Sequence, residues 1–198
     1  MLIQAKLLAG FTLVELMITI AVIGILLVLG LPEAFTWTQN TQIRTASESI
    51  ANGLQVARGE AVKRNTRIQF MLTNSLPNAA TLPTLAAGNV GDATGVNWVV
   101  MNYQTTGVYT AADFVQGGGN FSSPNIAVNA ADPTIVFTGL GQTDLGAADI
   151  IQVSNPRGGA CFANNGPMRC LNVVVQTGGQ VRMCDPAIAS GSGDTRAC

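Results

Sequence analysis

The hydrophobic pattern divides the chain into three zones. From Phe11 to Leu31 every position is apolar except Thr12, Glu15 and Thr19. A helix rises ~1.5 Å per residue and a bilayer core takes ~20 apolar residues, so this run is long enough to span a membrane. Pro32 follows and is expected to kink or loosen the helix. Beyond it Ile43, Ala46, Ile50, Leu54, Ala57 and Ala61 recur at helical spacing, with Arg44, Glu48, Gln55 and Arg58 on the other face. That stripe predicts an amphipathic half continuing the same helix to about Arg64, roughly 80 Å in all. The period then changes. Ile68, Phe70 and Leu72 alternate over 67–72, and further strands are expected at 98–101, 134–138, 149–153 and 171–176. The sharpest hairpin signal runs from Val173 through Thr177-Gly178-Gly179 to Met183. Gly117-Gly118-Gly119 and Gly139-Leu140-Gly141 are expected to be turns, and 74–97 a long loop without periodicity. The fold class is therefore α+β, one long helix packed on an antiparallel β-sheet head.

Glu15 changes the picture of the apolar run. An ionised group inside a membrane segment is costly unless partnered, and it marks function by default. A secretory signal peptide does not explain that acid, and a plain membrane anchor explains neither Glu15 nor the Gly10-Phe11 junction. A third reading explains both. Residues 1–10 form a short leader carrying one charge, Lys6, and a cut after Gly10 leaves a chain that starts at Phe11 and keeps its helix. Glu15 is then the fifth residue of the mature chain. A Glu15 that snorkels to a headgroup is the plainer alternative.

Net charge is −1, but its distribution is uneven. Residues 33–67 carry three acids and five bases, residues 68–149 five acids and no base, and residues 150–198 four arginines and two aspartates. Arg58, Lys63, Arg64 and Arg67 gather where the helix ends. Favourable charge at a helix C-terminus accounts for them; a patch for nucleic acid or a partner subunit is the sharper reading. The chain has no histidine, which removes the commonest general base and metal ligand. No nucleophile motif or metal-ligand spacing is present, and Asp144 with Asp149, the one close carboxylate pair of the head, has the flanks of turn and strand-start residues. No catalytic residue, metal or cofactor is expected, and the chain is not read as an enzyme. Four cysteines, all beyond residue 160, suit an oxidising compartment. Of their three possible connectivities the sequential one is expected, Cys161–Cys170 and Cys184–Cys198, each loop contributing roughly 2–3 kcal/mol. The second would tie down the segment MCDPAIASGSGDTRAC as a closed C-terminal loop.

The stretch Gly10-Phe11-Thr12-Leu13-Val14-Glu15-Leu16 resembles the N-terminus of type IV pilins and pseudopilins. The resemblance implies a pilin-like fold and an assembly route. A prepilin peptidase cuts between Gly10 and Phe11 and methylates the new amine of Phe11, and Glu15 pairs with the amine of a neighbouring subunit. The implied divisions are a leader at 1–10, a transmembrane and assembly helix at 11–32, an amphipathic half at 33–66 and a β-rich head at 67–198. The implied location is the bacterial inner membrane, single-pass with the head in the periplasm, and then the filament.

Residues 44–67, the late GGQVR hairpin and the MCDP…TRAC ending resemble the GspH/FimT family of minor pilins and pseudopilins. That implies a minor pilin that helps initiate or cap a type IV pilus, in company with other pilin subunits. The alternative is a pseudopilin of type II secretion; the four cysteines lean toward the pilus. Some type IV members of the family are tied to DNA uptake through a late G-R-x-R motif. Here it reads Gly179-Gln180-Val181-Arg182 and lacks the first arginine. Arg182, Arg169 and Arg196 would remain as possible DNA contacts, too few for more than weak, salt-sensitive binding.

Overall fold

A computed structural model describes residues 10–89, 91–119 and 125–198. The leader reading therefore falls, except for Gly10, outside the described residues, as do the side chains of 29–32; the kink expected at Pro32 corresponds to the 40° bend between Leu13–Val28 and Glu33–Arg64. The chain divides at Trp37/Thr38 into two units.

The first unit is the start of helix α1, assigned as Leu13–Arg64. Every large apolar side chain from Phe11 to Val28 is at least half exposed, on all sides of the helix. Among the described residues no single helix is long and apolar enough to cross a membrane; Leu13–Val28 and Glu33–Arg64 pass that test only together.

In the second unit α1 buries the stripe that its spacing predicts. Ile43, Ala46, Ile50, Leu54, Ala57 and Ala61 are fully buried, joined by Ser47 and Ala51. The helix ends at Arg64, where Asn65 turns the chain with φ +49°, a conformation short amide side chains tolerate. Among the described residues eight strands and a short helix α2 (Leu82–Leu85) follow: β1 Ile68–Thr73, β2 Asn97–Asn102, β3 Phe114–Gly118, β4 Ala127–Ala130, β5 Thr134–Phe137, β6 Asp149–Ser154, β7 Leu171–Val175 and β8 Val181–Cys184. They form two antiparallel four-stranded sheets, ordered β3-β2-β1-β5 and β4-β6-β7-β8. One core lies under the helix. It takes Phe70 and Leu72 from β1, Trp98 and Val100 from β2, Ile135 and Phe137 from β5, and Ile151, Val153, Val173 and Val175 from the second sheet.

Strand β1 is buried along its whole length because its other face is covered too. Met71, Val99, Met101 and Tyr109 pack there with Leu82 and Ala86. The segment 74–97, which reads as a featureless loop, thus closes the outer face of the first sheet. Tyr109, from the loop after β2, adds a polar contact on this face: its hydroxyl donates to Gln69 Oε1 at 2.6 Å.

The glycine triplet at 117–119 corrects an expectation. Gly117 and Gly118 lie inside β3, with Gly118 directly opposite Trp98 and Gly117 opposite Val99. A side chain at 118 would collide with the Trp98 indole, and one at 117 with Pro77. These glycines make room for neighbours rather than reversing the chain. Strands β3 and β4 escape the sequence reading for the same reason: short, glycine- and alanine-rich segments show no alternation of large apolar residues. Two turns behave as expected. Gly141 has φ +76° after Thr138, and Gly179 has φ +78° at the β7–β8 turn, where Gln176 N–H donates to Gln180 O at 2.9 Å.

Candidate functional site

The start of α1 is built by Thr12. Its hydroxyl oxygen accepts from the Glu15 N–H at 3.2 Å, and its carbonyl accepts the first helical bond from Leu16 N–H at 3.1 Å. Thr12 is therefore the N-cap, and Glu15 stands in the first turn. The T-x-x-E spacing is a capping signature that signals this start from sequence; it is Thr12 that the search for charged residues overlooks. The position has a chemical consequence. A carboxylate in the first turn is favoured by the partial positive charge of the helix end, by about 0.3–1 kcal/mol. Phe11, just outside the helix, is 86% exposed, and Gly10 carries no side chain to obstruct its backbone. Beyond this cap the helix presents apolar side chains in every direction, as a helix does that is surrounded by lipid or by other helices.

The head has its own polar apparatus. Arg67 reaches Asp144 at 3.4 Å and lies over the Tyr103 ring at 4.1 Å. Lys63 and Arg64 share Glu60 at 3.0 and 2.6 Å; these two bonds, Lys63 first, hold its carboxyl below the usual range. Arg58 donates to Gly141 O at 3.1 Å. All four members of the basic cluster are thus engaged within the chain, as charges closing a helix end on a sheet would be.

Cysteines 161 and 170 are bonded, as are 184 and 198. The first loop is held to the helix, its Arg169 N–H donating to Asn40 Oδ1 at 2.8 Å. Nearby, Asn155 donates to Gln42 Oε1 at 3.3 Å. The second loop folds back on β8. Asp185 N–H donates to Arg196 O at 2.7 Å, and Arg182 donates to Ala197 O and Cys198 O at 3.0 and 3.4 Å. Arg196 forms a two-pronged pair with Asp194, at 2.7 and 3.1 Å. That pair brings the Asp194 carboxyl down to about 2.

A shallow cavity of about 210 Å³ between the two bridged loops is lined by Arg169 and Arg196, but also by Asp185 and Asp194. The structure therefore brings Arg169 and Arg196 to one wall and ties Arg182 to the tail. The charges around the cavity balance, and only Arg169 stands exposed there without a described side-chain partner. Asp144 and Asp149 do not face a common site. Asp144 is at the surface with Arg67, whereas Asp149 is buried, with Oδ1 accepting from Asp132 N–H at 3.3 Å and Oδ2 without a partner.

Two sequence models match the chain. One, the prokaryotic N-terminal methylation motif, covers residues 9–31. The other, type II transport protein GspH, covers residues 46–179, more than half of the chain. The chain belongs to the GspH family. Its fold is that of the type IV minor pilin FimU of Pseudomonas aeruginosa, at 15% identity and a TM-score of 0.55 over 79% of this chain and 98% of that one. The minor pseudopilin EpsH of the type 2 secretion system of Vibrio cholerae resembles it at 8% identity and a TM-score of 0.46, over 74% and 99% of the two chains. The solution structure of E. coli GspH gives 10% and 0.41, over 78% and 94%. No curated protein matches the sequence significantly. This GspH-family chain thus has the fold of the minor pilin FimU, and the methylation motif falls on the capped, apolar start of α1.

Proposed function

We propose that this chain is a minor pilin, a structural subunit that helps initiate or cap a type IV pilus after a prepilin peptidase cuts between Gly10 and Phe11. The observation that carries the reading is the start of α1. A single acid sits one turn inside a helix whose apolar side chains are exposed all round, directly after a Gly-Phe junction. In this reading residues 1–10 are the leader, 11–32 the inner-membrane span and assembly helix, 33–66 the amphipathic half and 67–198 the periplasmic head. Glu15 takes the methylated amine of Phe11 from a neighbouring subunit as its partner. Losing one member of a buried charge pair costs about 3–5 kcal/mol, so subunits packed at a wrong offset are rejected. No catalytic role is assigned.

The family's description favours a second reading, a pseudopilin of type II secretion. DNA uptake has less support, since Arg182 and Arg196 already hold partners in the head. The test is made in three steps. The intact mass of the membrane-extracted protein should correspond to a chain beginning at N-methylated Phe11, and Gly10→Val should retain the leader. Glu15→Ala should be cleaved normally and enter filaments poorly; incorporation equal to wild type would refute the pairing. Deleting the chain should reduce surface pili and leave secreted enzymes at their normal level. The reverse outcome selects the pseudopilin.

A further inference from the structure

The span reading leaves Phe35 and Trp37 unexplained. Both are on α1 and largely exposed, 63% and 72%. They stand at the end of a stretch with a particular make-up. Between Phe11 and Phe35 there is no aromatic residue, and between Glu15 and Glu33 no charged one. At ~1.5 Å per residue, and with the 40° bend between Leu13–Val28 and Glu33–Arg64, Phe35 lies about 34 Å and Trp37 about 36 Å from Phe11 along the axis of the first stretch. A bilayer is ~30 Å thick in its hydrocarbon and ~40–45 Å with its headgroup layers. With Phe11 at one face, both aromatic side chains therefore fall in the opposite headgroup layer.

Their angular placement narrows the choice of partner. Two residues apart on a helix is about 200°, so the rings point to nearly opposite sides. A protein partner docking on one face of the helix would take one ring and leave the other. A lipid interface surrounds the helix and takes both. Amphipathic rings are enriched at that depth, where an apolar body and a polar edge are both satisfied. We propose that Phe35 and Trp37 form an aromatic collar that seats α1 in the phospholipid headgroup layer at the end of the span, before the subunit enters a filament. The collar rests on the membrane-span reading. It adds a defined depth: Trp37 at the headgroup layer, Glu33 beside it in water's reach, and the apolar run in hydrocarbon.

The chain contains two tryptophans, and the other, Trp98, is buried in the head core. The difference in emission between wild type and Trp37→Phe, both full-length in phosphatidylcholine vesicles, therefore reports Trp37 without disturbing the core. The expected result is a blue-shifted Trp37 emission. It should be lost more with lipids brominated near the headgroup than with lipids brominated near the acyl-chain ends. A protein that floats with the vesicles but whose Trp37 emission is indifferent to both lipids overturns the collar and leaves the span intact. Emission that shifts only as protein density rises also overturns it, in favour of contact with other subunits. A protein that does not float with the vesicles overturns the span and the collar together.

Discussion

Gly53→Ala is expected to destabilise this protein, although the same change in a solvent-facing helix is normally favourable. In an open helix, alanine gains about 1 kcal/mol over glycine. At position 53 a Cβ would lie 2.7–2.8 Å from three atoms of the Trp98 ring, inside any real carbon contact. The ring cannot swing away. Its Nε1 donates to Ser49 Oγ, one helical turn before Gly53, at 3.1 Å; it stacks on Phe70 with centroids 6.1 Å apart; and it lies over Gly118 of β3. Overpacking of this kind costs about 1–3 kcal/mol, so after the helical gain the net loss is up to about 2 kcal/mol, a fall of up to a few degrees in Tm. Gly59→Ala, in the same helix with nothing within 4 Å of its Cβ, is the control and should raise stability by up to about 1 kcal/mol. The assay is thermal unfolding of the full chain in detergent micelles, followed by near-ultraviolet circular dichroism. A Gly53→Ala protein that melts at or above wild type would refute the notch, as would a penalty that persists undiminished in a Trp98→Phe background.

Three further outcomes follow from the head. Burial raises the pKa of Asp149, against the N–H bonds of Ile150 and Asp132 that lower it. The folded state therefore holds this proton more tightly than the unfolded chain, and stability falls as pH rises from about 3.8 through the raised value. Asp149→Asn should remove that slope, raising Tm at neutral pH relative to wild type and losing its advantage in acid; an unchanged pH profile would count against it. Asp113 is the opposite case. Burial pushes its carboxyl up, but the Thr110 N–H, the Gln104 amide and the Thr110 hydroxyl outweigh it and hold the pKa down. Its contribution is present above the ordinary carboxylate value and is lost as pH falls through the lowered one. Asp113→Asn should cost about 1–2 kcal/mol at neutral pH in urea unfolding, and much less in acid. Arg182→Ala should loosen the tail, seen as faster amide exchange at Asp185 and Ala197, without changing retention on duplex DNA at low salt. A clear loss of DNA retention would instead place Arg182 in a nucleic-acid surface.

Much of this protein is legible along the chain because its helix obeys simple periodicity. The six positions from Ile43 to Ala61 alternate at three and four, and burying them needs only something apolar to lie against. The strands at 68–73, 97–102, 134–137, 149–154 and 171–175 were visible for the same reason, since each carries β-branched or large apolar residues at spacing two. Strands β3 and β4 were not visible. Their glycines and alanines are chosen by neighbours distant in sequence, Trp98 and Pro77 for β3, and no local pattern encodes a neighbour. The candidate assembly site divides in the same way. Glu15 stands out as a charge in an apolar run, whereas Thr12 is signalled only by its T-x-x-E spacing to that acid, and its hydroxyl bond to the Glu15 N–H shows only in the folded helix.

The sequence by itself determined the α+β class, the helix and its two characters, the acid at the start and the family resemblance, because these depend on the order of side chains along one element. The tertiary structure alone decided that the head has two sheets rather than one. It also decided that residues 74–97 roof the first sheet and that the arginines of the helix end and the tail are spent on partners inside the chain. Those outcomes depend on which surfaces meet across long separations. A roof, a notch for an indole and a paired guanidinium are properties of two segments at once, and each segment read alone is silent about the other.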